Sequence, residues 1–241
     1  MSTIQHHAIC HVGSVRTTNE DAILSYADAG LWAVADGMGG HEAGDYASQC
    51  LIDHLSRACD KYKGNYLVER IRQIITNAHL SIFEHSQQMA GKPLIGSTIV
   101  VLALEADNFH CFWSGDSRCY LLRDNTLNAL TNDHTEAEAM LAEGGSPETL
   151  SDEEKIRAEN TLVHAIGIDN EPPHVDYVSG YIYEGDRFLL CSDGINKIFT
   201  DEDINSRIAQ NNIGEINQSF LDDALSSHAP DNLSSIIISV G

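Results

Sequence analysis

Positive charge is scarce in this chain. Fourteen Lys and Arg face 36 Asp and Glu, a formal charge of -22 over 241 residues. So acidic a surface repels phosphate backbones and anionic headgroups, which argues against nucleic acid or a membrane surface as partner. Long hydrophobic runs are also missing, since none nears the roughly 20 residues that span a bilayer. The opening MSTIQHHAICHVG has neither the basic start nor the apolar stretch of a secretory signal, so a cytoplasmic location is expected. Six cysteines form no C-x-x-C pair and several lie in apolar runs, which predicts buried free thiols rather than disulfides or zinc ligands. Internal repeats, low-complexity tracts and Pro/Gly/Ser linkers are absent, so a single domain over residues 1–241 is expected. Neither a sustained heptad nor a long apolar stripe points to self-association, and a monomer is the expectation. What the chain does have is apolar side chains, 42% of the total, enough for a sizeable core.

Their spacing divides the chain into elements. Residues 31–35 (LWAVA) form a short apolar run that stops at Asp36-Gly37. Two helical stripes follow, one through Ala47, Leu51, Leu55, Ala58 and Tyr62, the other through Leu67, Ile71, Ile74, Ala78 and Ile82. Strand-like runs cover residues 98–105, 109–114, 119–123, 127–130, 187–192 and 233–240, with hairpin turns between several of them. A further helix is predicted around Ile216, Phe220, Leu221 and Leu225. Strands grouped around inserted blocks of helix predict an α+β fold with antiparallel pairing. Residues 133–180 are polar and weakly patterned, with one short helix expected at 136–143. A connection of that length reads as a functional flap.

The acids fall at strand ends. Asp36 and Asp193 close apolar strands, Asp116 follows one by two residues, and Asp231 precedes one. In antiparallel sheets the exit of one strand and the entrance of its neighbour share an edge, so these aspartates can meet there. Glu20-Asp21, just before another apolar run, can join them. Converging carboxylates repel one another unless their pKa values rise or a cation neutralises them. Oxygen donors without His or Cys at zinc spacing select hard ions, and no stretch matches an EF-hand loop. A single Asp-Gly is an ordinary turn more often than a ligand, but the repeated strand-end placement favours a metal centre. Arg16, four residues before Glu20, either pairs with a carboxylate or offers its planar fork to a phosphate.

Several segments, in order, carry a family resemblance. They are Gly13-Ser14-Val15-Arg16, Asn19-Glu20-Asp21-Ala22, Val34-Ala35-Asp36-Gly37-Met38-Gly39-Gly40-His41 and Gly96-Ser97-Thr98. Ser114-Gly115-Asp116-Ser117-Arg118, Leu130-Thr131-Asn132-Asp133-His134, Gly185-Asp186, Cys191-Ser192-Asp193-Gly194 and Asp231-Asn232-Leu233-Ser234 complete the series. Together they resemble the metal-dependent protein phosphatase family (PPM, the type 2C serine/threonine phosphatases) in its compact bacterial form. The resemblance implies a β-sandwich of two antiparallel sheets with helices on both outer faces, and a flap at 133–180 beside a metal cleft. It implies a serine/threonine phosphoprotein phosphatase that hydrolyses phosphomonoesters by in-line attack of a hydroxide bridging two Mn²⁺ or Mg²⁺ ions. Asp36 would bridge the ions, Asp193 and Asp231 would complete one site, and Glu20 with the Gly37 carbonyl would hold the other. Asp116, with Asp193, would take a weaker third ion, Asp21 would support the ligands, and Arg16 would grip the substrate phosphate. The implied partners are a phosphorylated protein substrate and an antagonist serine/threonine kinase in the same pathway.

Departures from the family pattern are visible. Met38 stands where many eukaryotic members carry a histidine proposed as general acid. Lys197 replaces an acid that some members use for the third ion, and His164 stands where arginine is common. His41 is expected to pack or cap at the start of the following helix. Two other readings compete. A dinucleotide-binding turn at residues 37–40 fails because Glu42 occupies the third glycine position and an acid at the turn repels pyrophosphate. A catalytically inactive regulatory module on the same scaffold would be expected to have lost metal acids, and all those of the two-ion centre are present.

Overall fold

The computed structural model describes residues 3–39, 43–210 and 212–241. Its strands are β1 (Ile4–His11), β2 (Asp21–Tyr26), β3 (Leu31–Met38), β4 (Gly96–Ser97), β5 (Ile99–Glu105), β6 (Asn108–Ser114), β7 (Arg118–Arg123), β8 (Thr126–Ala129), β9 (Asp176–Tyr181), β10 (Arg187–Cys191) and β11 (Leu233–Val240). One sheet runs β1-β11-β10-β7-β8 and the other β2-β3-β5-β6-β9, with the short β4 beside β3. The pairings are antiparallel throughout. The helices are α1 (Gly44–Lys61), α2 (Asn65–Val68), α3 (Ile71–Gln88), α4 (Glu136–Ala142), α5 (Asp152–Asn160), α6 (Asp193–Asn196), α7 (Asp201–Ile208) and α8 (Ile213–Ser226).

The layering follows from strand alternation. Along β3, Trp32 and Val34 face the other sheet and, with Val100 and Leu102 of the neighbouring β5, pack against its Phe188, Leu190, Ile236 and Ile238. The intervening Leu31, Ala33 and Ala35 face outward and are covered by Leu51 and Leu55 of α1 and Ile71 and Ile75 of α3. On the opposite outer face Tyr120, Leu189 and Ile237 are covered by Ile204 and Ile208 of α7 and Ile216 and Phe220 of α8. Strands buried on both faces carry unbroken apolar runs, which is why residues 31–35, 98–105 and 233–240 are legible as sequence. The result is a helix–sheet–sheet–helix sandwich, as expected.

Three features differ from the sequence reading. The second helical stripe is split, with Leu67 on α2 and the rest on α3, because an i→i+3 bond from Arg70 N to the Leu67 carbonyl closes the first piece. Strands β1 and β9 carry little apolar signal because each is an edge strand, solvated along much of its length. Within residues 133–180 lie α5 as well as α4, and the last residues of that stretch form β9, paired with β6. Helix α5 buries only Ala158, but Ser151 and Glu154 make a reciprocal capping box at its start, a signal available in the sequence. The six cysteines are free; four are buried, Cys50 is half-buried and Cys10 is exposed. His41 lies outside the described residues.

Phe188 sits fully buried between the sheets, its ring centroid 5.4 Å from that of Phe109. Phe188→Ala leaves a cavity there and should lower the unfolding free energy by about 3–5 kcal/mol in urea titrations. A loss below about 1 kcal/mol would contradict this account of the core.

Candidate metal centre

The acids converge because the ends of both sheets open at the same edge. Asp21 begins β2 directly opposite Asp36 near the end of β3. Asp193 follows β10, Asp231 lies two residues before its partner β11, and Asp116 occupies the turn between β6 and β7. A cavity of about 610 Å³ at this edge is lined by Arg16, Glu20, Asp36, Gly37, Asp116, Asp193 and Asp231. Every residue singled out for the site therefore borders one space. Asp21 stands behind it, almost fully buried, accepting a 2.8 Å hydrogen bond from Ser192 Oγ on Oδ2.

The backbone around Asp36 is tied on several sides. Its N–H donates to Thr98 Oγ1 (3.1 Å), and its carbonyl accepts from Thr98 N (2.8 Å) and Ser97 Oγ (3.0 Å). Gly37 N donates to the Glu20 carbonyl at 3.0 Å, which joins the two acid-bearing segments. A Cβ on Gly37 would lie 2.0 Å from the Gly44 carbonyl oxygen, so only glycine lets α1 approach the strand end this closely. Asn232, 4% exposed, accepts from Glu20 N at 2.8 Å through Oδ1 and donates through Nδ2 to the carbonyls of Val12 and Thr18 at 2.9 and 3.1 Å. This one amide staples the Glu20 loop to the start of β11. The motif Asp231-Asn232 was visible in the sequence, but this bracing role was not.

Among the described residues five carboxylates and two cationic side chains line the cavity, and both cations are already paired. Arg16 Nη2 lies 3.1 Å from Asp231 Oδ2, with the Arg side chain about half exposed, and Lys197 Nζ bonds Asp193 Oδ2. The excess negative charge marks the acids themselves. Burial, then the neighbouring carboxylates, pushes Asp21 up to about 7 despite its serine hydrogen bonds. Burial and the Asp193 carboxylate push Asp116 up to about 7 as well. Asp36 is raised well above the usual range by loss of water and by Asp21, Asp193, Asp116 and Asp231. Asp21 Oδ1 and Asp193 Oδ1 are buried without a hydrogen-bond partner. Unpartnered carboxylate oxygens beside an all-oxygen donor set, with no His or Cys among the described lining residues, fit hard divalent cations.

A group that sequence reasoning missed lies beneath the cleft. His134, His174 and Asp176 come together, with ring and carboxylate atoms within 4.8 Å of one another, and His164 stacks on His174 at 4.2 Å between centroids. The hydrogen bonds argue for a brace rather than a metal site. Gly115 N donates to His134 Nδ1 (3.2 Å), so the neutral ring carries its proton on Nε2, which donates to Asp176 Oδ2 (3.3 Å). Both ring nitrogens are thus in use, and His134 N also donates to the Gly115 carbonyl (3.0 Å), clamping the turn that presents Asp116. Histidines spread over 40 positions leave no local pattern from which to read this cluster.

An acid-walled cleft at one end of a two-sheet sandwich with helices on both outer faces defines a class of protein. The chain belongs to the protein phosphatase 2C family, whose model matches residues 5–140. It is similar to the serine/threonine protein phosphatase PstP of Mycobacterium tuberculosis, 31% identical over 95% of this chain and 43% of that protein. The chain therefore spans less than half the length of that relative. Among solved structures it is similar to PppA, described as a key regulatory component of T6SS in Pseudomonas aeruginosa, with TM-score 0.87, 31% identity and coverage of 99% and 98% of the two chains. It is also similar to the PstP catalytic domain in complex with two manganese ions, with TM-score 0.81, 29% identity and coverage of 100% and 99%.

The raised carboxylates give a pH dependence of defined sign. Asp21 and Asp116 move from 3.8 to about 7 on folding, so the fold favours their protonated forms. That contribution is fully present below the unfolded value and is lost as pH rises through about 7. In EDTA, Tm should fall between pH 5 and pH 8, by roughly 2–4 °C for each kcal/mol lost. Added Mn²⁺ should raise Tm more at pH 8 than at pH 5. A metal-free Tm that rises across this range contradicts the electrostatic picture.

Proposed function

We propose that this chain is a metal-dependent serine/threonine phosphoprotein phosphatase built as one domain over residues 1–241, with 133–180 as its flap. The observation that carries the reading is the convergence of Glu20, Asp36, Asp116, Asp193 and Asp231, with Arg16, on one cavity. Asp36, Asp193, Asp231, Glu20 and the Gly37 carbonyl would hold two Mn²⁺ or Mg²⁺ ions. Such ions, when bound, supply a water acidified from 15.7 towards about 7 and positive charge for phosphoryl oxygens. The carboxylates would fix where that charge sits, and the Thr98, Ser97 and Glu20 hydrogen bonds fix the backbone that carries the Asp36 side chain. Arg16 stands half-exposed at the mouth, held by Asp231, where its planar fork can take two phosphoryl oxygens of the substrate. Serine and cysteine nucleophiles have no part in this chemistry.

Between the flap and the sandwich a second cavity of about 420 Å³ shares Asp116, Asn160, Asp193 and Lys197 with the first and runs beside α4 and α5. It offers room for the chain on either side of a phosphorylated residue, which favours a protein substrate over a small phosphomonoester. An antagonist serine/threonine kinase in the same pathway, a cytoplasmic location and a monomeric state belong to the same reading. Among the described residues no helix is long and apolar enough to cross a membrane.

Hydrolysis of p-nitrophenyl phosphate and of a phosphothreonine peptide should require Mn²⁺ and stop in excess EDTA. Asp193→Ala should lower turnover by roughly two orders of magnitude or more. Near-normal turnover of that variant, or activity untouched by EDTA, would overturn the reading. Arg16→Ala should lower kcat/KM about 100-fold while shifting Mn²⁺ affinity less than about threefold. Loss of Mn²⁺ binding as the main effect would instead make Arg16 a structural partner of Asp231.

A further inference from the structure

Of the two cationic side chains in the cleft, Lys197 stands directly on a neighbouring carboxylate of its own helix. Helix α6 starts at Asp193, and its single turn brings Lys197 back over that residue: Lys197 N donates to the Asp193 carbonyl at 2.9 Å and Nζ bonds Asp193 Oδ2. Asp193 and Asp116 border both cavities, and so does Lys197. The ammonium therefore stands at the edge of the centre where Asp116 and Asp193 come together, away from the Arg16–Asp231 pair at the mouth. We propose that the Lys197 ammonium takes the place of a divalent ion at the Asp116–Asp193 edge, so that this centre holds two divalent cations and no third.

The physical argument is one of charge and occupancy. A divalent ion on Asp116 and Asp193 would have to displace an ammonium tethered one helical turn away, then remain beside its positive charge. The ammonium already sits on Asp193 Oδ2, one of the oxygens such an ion would need. The tether makes this cation permanent and independent of metal concentration. It also leaves Asp193 with only Oδ1 free, the oxygen that lacks any partner, for the ions at the other edge. The inference rests on the two-ion reading given above.

Counting bound Mn²⁺ tests both and separates them. Electron paramagnetic resonance of free Mn²⁺, titrated into the purified chain with no substrate present, should show two ions bound per wild-type chain. Lys197→Asp should gain a third, and Lys197→Gln, which removes the charge with little change in size, should bind a third ion at least tenfold more tightly than wild type. Adding Asp116→Asn to Lys197→Asp should abolish the gain. Three ions on the wild-type chain, or only two on both single variants, would overturn the role of Lys197 and leave the phosphatase reading standing. No bound Mn²⁺ on the wild-type chain would overturn both.

Discussion

Mutual repulsion among carboxylates is the constraint on which the rest of this structure depends. Two antiparallel sheets end at a common edge and bring Asp21, Asp36, Asp116, Asp193 and Asp231 within each other's fields. At the separations of a cleft, like charges in a medium poorer than water repel by several kcal/mol per pair before screening. Natural folds tolerate such a cluster when something positive completes it. The surrounding architecture serves to hold the acids in place against that repulsion: Thr98 and Ser97 behind Asp36, Asn232 behind Glu20, and the His134 clamp behind Asp116.

These braces share a design. Each uses a neutral hydrogen-bonding group to fix a backbone segment, so the brace itself takes up no oxygen of the carboxylate it positions. Asn232 bonds the Glu20 N–H, leaving the carboxylate alone, and His134 bonds the amide of Gly115, beside Asp116. The two cations that do touch carboxylates, Arg16 and Lys197, differ in setting. Both side chains are about half exposed, but Arg16 stands on the loop before Glu20, whereas Lys197 is brought back over Asp193 by the turn of α6. One is free to exchange partners with an incoming anion, and the other is held.

Much of this was legible as sequence, for a physical reason. Central strands such as β3, β5 and β11 are buried on both faces, so their apolar runs announce them, and cleft aspartates stand where the β3 run stops and just before the β11 run begins. Acids placed at strand ends in this way point to a shared edge. Several of the elements that escaped are slightly buried: the edge strands β1 and β9, and α5 with one buried residue; α7 escaped because its buried face is only Ile204 and Ile208. The braces escaped because they join positions far apart in the chain, as Asn232 joins Glu20, and hydrogen bonds across 212 positions leave no periodicity. The pairing of Lys197 with Asp193 was in principle readable, since i,i+4 spacing at a helix start brings the two side chains together.

The central claim is that divalent cations balance the carboxylates of the cleft. Crystals grown with Mn²⁺ and measured at the manganese absorption edge address it directly. Anomalous peaks among Glu20, Asp36, Asp193 and Asp231 are the predicted result. A cleft without anomalous density, its aspartates turned apart or bonded to one another as neutral acids, would contradict the account.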